Sequence, residues 1–269
     1  MGVPQETRQK RPALRVSVLR IAFRAQFGYN RRMNTSLECR WLGCVEYASG
    51  WELQNQLAAQ IAAGQRGPVL LLLEHPHTYT LGRQGHAEHL LWDADQLRQQ
   101  GAAVHWVDRG GDITYHGPGQ LVAYPLLRLA PPGWVGERLP QADFTGYLRR
   151  LEAVIIHLLA EYSVEGQARP GLTGVWVRLG DGEWGKIASI GVKVDARGVT
   201  RHGLALNLAP EMRYWQGIVP CGLAGVRMTA LAELMAAPPD TRSAAQALAR
   251  VFARVFALPT VWAESEAEK

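Results

Sequence analysis

Twelve residues narrow the folds open to this chain more than any other stretch: Arg109-Gly110-Gly111-Asp112-Ile113-Thr114-Tyr115-His116-Gly117-Pro118-Gly119-Gln120, with the apolar run Leu121 to Leu129 directly behind. Four glycines and a proline in twelve residues are poor material for a core. Glycine lacks a Cβ, so its backbone reaches positive φ and lets another molecule approach its N–H groups closely. Between the glycines, Ile113 and Tyr115, then Val122 and Tyr124, alternate as strand residues do. The pattern predicts two strands joined as a hairpin through His116-Gly117-Pro118-Gly119, with Arg109 and His116 displayed beside a bare backbone. An ordinary glycine-rich hairpin carries the same pattern; the arginine and histidine make this one a binding segment.

The rest of the chain supplies a body around it. Cys39 to Tyr47 reads as a first strand and Trp51 to Ala63 as a helix with Leu53, Leu57 and Ile61 on one face. Val69 to Leu73 is wholly apolar, which suits a central strand buried on both faces. It empties into Glu74 to Arg83, read as a polar loop. His75 and His77 in that loop have no third ligand at a metal-binding spacing, so no metal is expected. A helix over Glu88 to Gln100, a strand over Val104 to Val107 and a Pro/Gly loop over Ala130 to Gly136 follow. Phe144 to Tyr162 is the longest amphipathic helix, with Tyr147, Leu151, Val154, Ile155, Leu158 and Leu159 inward and His157 packed or solvated. Strands are predicted at Val175 to Val177, Lys186 to Val194 and Val199 to Leu208. Their turns at Gly180-Asp181-Gly182 and Asp195 to Gly198 hold residues that tolerate positive φ. Ala244 to Phe256 closes the chain as a helix. The sum is α+β: one mixed sheet flanked by helices over 37–258, with a smaller C-terminal layer and a tail over 259–269.

Charge and cysteine use exclude some functions. The net charge of +5 comes from residues 1–36, which hold eight basic side chains against one Glu, while the remainder carries 21 basic and 23 acidic groups. The sequence therefore predicts a basic, disordered and dispensable arm over 1–36, with Met33 as an alternative start, on a body with no nucleic-acid-binding charge. No apolar run approaches the ~18 residues of a membrane span, and the first residues lack a secretory h-region. Three cysteines, at 39, 44 and 221, fit a reducing compartment better than a disulfide framework, and the chain is read as cytoplasmic.

Two side chains stand out chemically. Cys221 lies in Pro220-Cys221-Gly222, a shaped loop; it is either a small buried hydrophobe or a nucleophile toward thioesters. Cys39 and Cys44, on the first strand, read as structural. The chain has 25 arginines but four lysines, and Lys186 precedes the small apolar run Ile187 to Gly191. Lysine exchanges a proton when buried, as arginine does not, so Lys186 beside Cys221 would favour the thiolate and act as base and acid. Lys193 reads as a plain exposed strand lysine.

Five blocks in order resemble the lipoyl(octanoyl) transferase family: Leu73-Glu74-His75-Pro76 with Tyr79 to Gly82, Arg109 to Gln120, Lys186 to Gly191, His202 to Asn207, and Pro220-Cys221-Gly222. The resemblance covers roughly residues 37 to 235. It implies the fold of lipoate- and biotin-protein ligases and transfer of octanoyl from acyl carrier protein to a lysine of a lipoyl domain. The implied acceptors are the lipoyl domains of 2-oxoacid dehydrogenase complexes and the glycine cleavage H protein, with no cofactor. It implies that Cys221 takes the acyl group and Lys186 assists. Arg109, Gly110, Gly111, Asp112, Ile113, Thr114, Tyr115 and His116 would line the acyl site with Ser189, Ile190, Gly191, Gly203, Leu204 and Ala205. The chain departs from the family pattern in the arm and in the loop Gly180 to Trp184. Three alternatives stay open: an ATP-dependent lipoate or biotin ligase, an amidotransferase between carrier lysines, and a non-catalytic binder using the basic arm. Pro220-Cys221-Gly222 with Lys186 favours the transferase.

Overall fold

The computed structural model describes residues 36–129, 141–223 and 225–263. Apart from Ser36, the expected arm lies outside the described residues, as do the expected loop 130–136 and the acidic end 264–269.

In chain order the elements are β1 (Leu37–Cys44), α1 (Tyr47–Ala62), β2 (Val69–Glu74), β3 (Thr78–Leu81), α2 (Ala94–Gln99), β4 (Ala103–Trp106), β5 (Ile113–His116), β6 (Gln120–Leu126) and α3 (Gln141–Glu161). There follow β7 (Gly166–Arg169), β8 (Leu172–Arg178), β9 (Trp184–Val194), β10 (Thr200–Asn207), β11 (Arg227–Met228), α4 (Thr241–Phe256) and β12 (Thr260–Trp262). Nine strands form one mixed sheet in the order β12-β1-β2-β6-β10-β9-β8-β7, with β11 also pairing β9; β4-β3-β5 form a second, three-stranded sheet.

The apolar pentad behaves as its composition demands. Val69 to Leu73 is fully buried at the middle of the large sheet. Leu70 and Leu72 face a core made with α3 and α4, whereas Val69, Leu71 and Leu73 face one made with Leu57, Ala58 and Ile61 of α1. All six α3 residues expected inward are buried and His157 is exposed. Asp240 starts α4 by accepting the Ser243 N–H at 2.8 Å, satisfying one of the donors a helix N-terminus leaves unpaired. The turns at Gly182 and Gly198 take positive φ and connect the antiparallel pairs β8–β9 and β9–β10.

Several expectations are corrected. The first strand stops at Cys44, and Tyr47 opens α1 with its ring buried against His75, His105 and His116. Only Ala94–Gln99 of the expected helix 88–100 is α-helical; Asp93 and Gln96 form a reciprocal capping box there, and Leu90 bridges Ile218 instead. The stretch read as a polar loop contains β3, since Thr78, Tyr79, Thr80 and Leu81 are strand formers and all buried. The body extends past residue 258, because β12 pairs in parallel with β1. The smaller layer is built from residues 78–116, not from the C-terminus.

The largest correction concerns the glycine-rich stretch. β5 and β6 do not pair as a hairpin. β5 pairs antiparallel with β3 in the small sheet, while β6 runs between β2 and β10 in the large one. Gly117-Pro118-Gly119 thus carries the chain from one sheet to the other. Gly119 has φ +83, and a Cβ there would stand 2.6 Å from the Ala209 carbonyl carbon. Only glycine fits this crossover.

Candidate active site

Where the Arg109–His116 segment faces β9 and β10, the described residues enclose a cavity of about 620 Å³, within the range of small-molecule sites. Its wall contains Lys186, Cys221 and every residue the resemblance assigned to the acyl site except Tyr115. Tyr115 turns into the small sheet's aromatic core, between Tyr79, Tyr214 and Trp215, and its hydroxyl lies 2.8 Å from His77 Nδ1. Strand alternation accounts for this: Thr114 and His116 face one side of β5 and Tyr115 the other.

Lys186 and Cys221 meet. The Lys186 Nζ lies 3.1 Å from the Cys221 Sγ, although 35 residues separate them. Lys186 is 3 % exposed. Its position on β9 is set by β11, whose Met228 is its parallel partner, and by the Thr229 N–H, which donates to the Lys186 carbonyl at 3.1 Å. Cys221 is half-buried, with left-handed φ 57 and ψ 18. A non-glycine residue held there carries strain, and such strain collects at functional positions.

Arg109 and His116 are buried rather than displayed, each 7 % exposed. The Arg109 Nη2 donates to the Thr80 carbonyl at 2.6 Å and to Thr80 Oγ1 at 2.9 Å, while Nη1 donates to the Gly110 carbonyl. The guanidinium therefore fastens the glycine loop to β3, and its burial lowers its pKa. His116 pairs with Gln120 Oε1 at 2.8 Å, and burial holds it far below the usual histidine range, in the neutral form. Gln120 donates onward to Asn207 Oδ1, and Asn207 donates to the Thr229 carbonyl. A chain of hydrogen bonds thus runs from the glycine-rich segment to the residue that pins Lys186.

Behind the loop, Asp108 gathers three donors: Lys193 Nζ at 2.6 Å, Arg201 Nη2 at 2.7 Å and His202 Nε2 at 2.7 Å. Burial alone would raise the Asp108 pKa, but these partners hold the carboxyl well below the usual carboxylate range. Lys193 is therefore a paired side chain and not the plain exposed lysine expected. His75 makes hydrogen bonds through both ring nitrogens, to the Val45 carbonyl at 2.5 Å and the Tyr124 hydroxyl at 2.8 Å. Because Val45 can only accept, Nδ1 carries the proton. Burial pushes the His75 pKa down to about 4.

Sequence reasoning missed Tyr47, His86, His89, Tyr124 and His202 in the wall, together with an apolar flank of Phe144, Leu148 and Leu172. His202 lay inside a quoted block and its positive φ of 56 had no local signal; Tyr47 was assigned to a strand. Thr114 Oγ1, Ser189 Oγ, Arg109 Nε and His202 Nδ1 belong to wall residues and are buried with no hydrogen-bond partner among the described residues.

An apolar cleft with a buried amine against a strained thiol is equipment for nucleophilic acyl transfer, which places the molecule among acyl-handling α+β enzymes. The comparisons narrow the class. A family model described as the lipoyl protein ligase A/B catalytic domain matches residues 46–253, and the chain belongs to that family. It is 44% identical over 223 residues to an octanoyltransferase of Chloroflexus aurantiacus, covering 83% of this chain and 95% of that one. An octanoyltransferase of Solibacter usitatus is 46% identical over 217 residues, covering 81% and 91%. In three dimensions the chain resembles an archaeal bipartite lipoate protein ligase from Thermoplasma acidophilum. The TM-score is 0.64 at 16% identity, covering 87% of this chain and 89% of that one, a likeness of fold.

Proposed function

We propose that this chain is an acyltransferase of protein lipoylation that moves octanoyl from acyl carrier protein to a lipoyl-domain lysine through a thioester on Cys221. The observation that carries the reading is the 3.1 Å contact between Lys186 Nζ and Cys221 Sγ in the cavity wall. A resident amine at that distance is placed to exchange a proton with the thiol, and the thiolate is the form of cysteine that attacks thioesters. The sulfur–carbon bond forms as the donor's carbon–sulfur bond breaks, and Lys186 supplies the proton that the departing donor thiolate takes. The acceptor lysine then attacks the acyl-cysteine; the carbon–sulfur bond to Cys221 breaks as the amide forms, Lys186 takes back one proton from the amine, and a second proton is released to solvent. Thioester exchange is close to isoenergetic and amide formation is downhill, so ATP is not required.

Ile190, Leu204, Leu172, Phe144 and Leu148 give the acyl chain an apolar wall. At about 0.8 kcal/mol per buried CH₂, an eight-carbon chain gains several kcal/mol of gross binding there. The relatives' shared name supports octanoyl as the group moved. Lipoyl domains of 2-oxoacid dehydrogenase complexes and the glycine cleavage H protein are the acceptors proposed, and the cytoplasm is the proposed location. Among the described residues no helix is long and apolar enough to cross a membrane.

The test is intact mass after incubation with octanoyl-acyl carrier protein and no ATP. One added octanoyl group is expected on the native chain, none on Cys221→Ser, and slow addition on Lys186→Ala. Octanoylation of a lipoyl domain only when ATP is supplied, without an enzyme adduct, would replace this reading with that of a ligase.

A further inference from the structure

Transfer through Cys221 and Lys186 releases one proton that the pair does not keep. A free lysine amine has a pKa of about 10.4, so the acceptor arrives as an ammonium with three protons. The amide keeps one. A second restores the proton that the Cys221–Lys186 pair gave up to the departing donor thiol. The third is left over once Lys186, 3 % exposed and engaged with Cys221, has been recharged, and a second group beside the acceptor amine can take it as the amide forms.

His89 stands where it can take that proton. It lines the same cavity as Cys221, and its side chain is 24 % exposed, so it touches both the site and solvent. Its Nδ1 bonds to the Asp112 carboxylate. Asp112 is itself held by the Ile113 N–H at 2.7 Å and the His86 N–H at 3.2 Å. A histidine donating through Nδ1 to a carboxylate presents Nε2 as a proton acceptor, with its ring orientation fixed. The dyad also abuts the nucleophile loop. A Cβ on Gly222, the residue after Cys221, would stand 3.1 Å from His89 Cε1 and would collide with the Asp112 carboxylate. Backbone bonds keep the two segments in register: the Val219 N–H donates to the His89 carbonyl at 2.8 Å, and the Leu91 N–H to the Gly217 carbonyl at 2.8 Å. Outward of His89, the His86 ring lies edge-on at 5.3 Å and 60 % exposed, a step toward bulk water.

We propose that His89, oriented by Asp112, is a second catalytic residue: the general base that takes the ammonium proton of the incoming lysine in the second half of the reaction. The proposal rests on the cysteine route above and assigns the two half-reactions to different bases. Lys186 serves the thiol of Cys221; His89 serves the acceptor amine. His89 receives the proton at Nε2 and releases it to water before the next turnover.

The test separates the halves in single turnovers with His89→Gln and His89→Ala. Loading of Cys221 from octanoyl-acyl carrier protein, read by intact mass, is expected within about twofold of the native rate in both. Transfer from the loaded enzyme to a lipoyl domain is expected to slow by about 10²-fold or more, the usual contribution of a positioned base. Added imidazole is expected to restore part of that rate in His89→Ala, where the ring has been removed. Release of octanoyl to hydroxylamine, an acceptor already uncharged at neutral pH, is expected to be the same in the variants and the native chain. This comparison also guards against a variant that is merely misfolded. Equal slowing of lipoyl-domain transfer and hydroxylamine release, or native transfer rates in both variants, would overturn the proposal. Absence of any thioester on the native chain would instead remove the cysteine route, and the proposal with it.

Discussion

Replacing Gly174 by Ala tests whether the placement of Lys186, rather than its mere presence, governs acylation. Gly174 lies on β8 at φ +119, and its N–H donates to the buried Glu152 carboxylate at 3.3 Å. A Cβ there would lie 2.5 Å from the Ala188 carbonyl oxygen, 2.8 Å from Lys186 Cε and 3.5 Å from Nζ. Moving the lysine stem relieves its own contact but not the one with the β9 carbonyl, so the β8–β9 pairing has to spread locally as well. Restoring an ordinary carbon contact moves Cε by roughly 1 Å. A misplacement of that size at a reacting group can lower the rate by about 10²-fold. The backbone penalty for a β-carbon at this φ is about 1–3 kcal/mol, and spreading the pairing at Ala188 adds to it. A domain with the usual stability of about 5–15 kcal/mol survives that loss and stays folded. Gly174→Ala should therefore remain folded by urea titration yet load octanoyl onto Cys221 about two orders of magnitude more slowly. Loading within twofold of the native rate alongside a measurable loss of stability would show that the lysine's position is not limiting.

Other expectations follow from the buried charges and the cavity wall. His75 is neutral in the folded state because burial lowers its pKa from 6.5 to about 4. The unfolded chain therefore takes up a proton first as pH falls, and stability declines between pH 6.5 and 4 by about 3 kcal/mol at 1.36 kcal/mol per unit. A His75→Gln variant, less stable at pH 7, should show a flatter decline across this window; an equally steep one would refute the assignment. Asp108 has its pKa depressed, so its contribution is present above the ordinary carboxylate range and lost as pH falls through it. Asp108→Asn should cost about 1–3 kcal/mol at pH 7 by chemical denaturation, with the difference from the native chain narrowing below about pH 4. Leu204→Trp should shift donor preference toward chains shorter than octanoyl, measured as relative kcat/KM over a series of acyl thioesters, since Leu204 forms part of the apolar wall.

The parts of this molecule legible in the sequence were those governed by local composition. Val69 to Leu73 is apolar at both parities and so had to be a doubly buried strand, and the amphipathic stripe of α3 named its own buried face. Cys221 and Lys186 stood out through the residues around them, and the structure places the two in contact. Pairing was not legible. Alternation in β5 and β6 is the same whether the strands pair with each other or diverge, and the divergence depends on the space beside Ala209 that admits only Gly119. Nor could periodicity show that Lys193, Arg201 and His202 converge on Asp108, because those contacts span 85 to 94 residues. The His89–Asp112 pair, 23 residues apart, was hidden too, with a helix predicted over His89 and Asp112 read as part of the glycine-rich binding segment.

The short pairing of β11 with β9 bears on the reaction as a matter of concentration. Cys221 sits seven positions before Met228, and Met228 is paired with Lys186 itself. The thiol and the amine are thus two ends of one small ring, closed by a peptide tether on one side and a strand ladder on the other. Closing a loop this short costs little chain entropy, and it holds each partner in the other's vicinity at an effective molarity far above any dissolved thiol or amine. On the proposed route the thiol and its amine therefore need no encounter of their own, and what remains to diffuse is the acyl donor and the acceptor lysine.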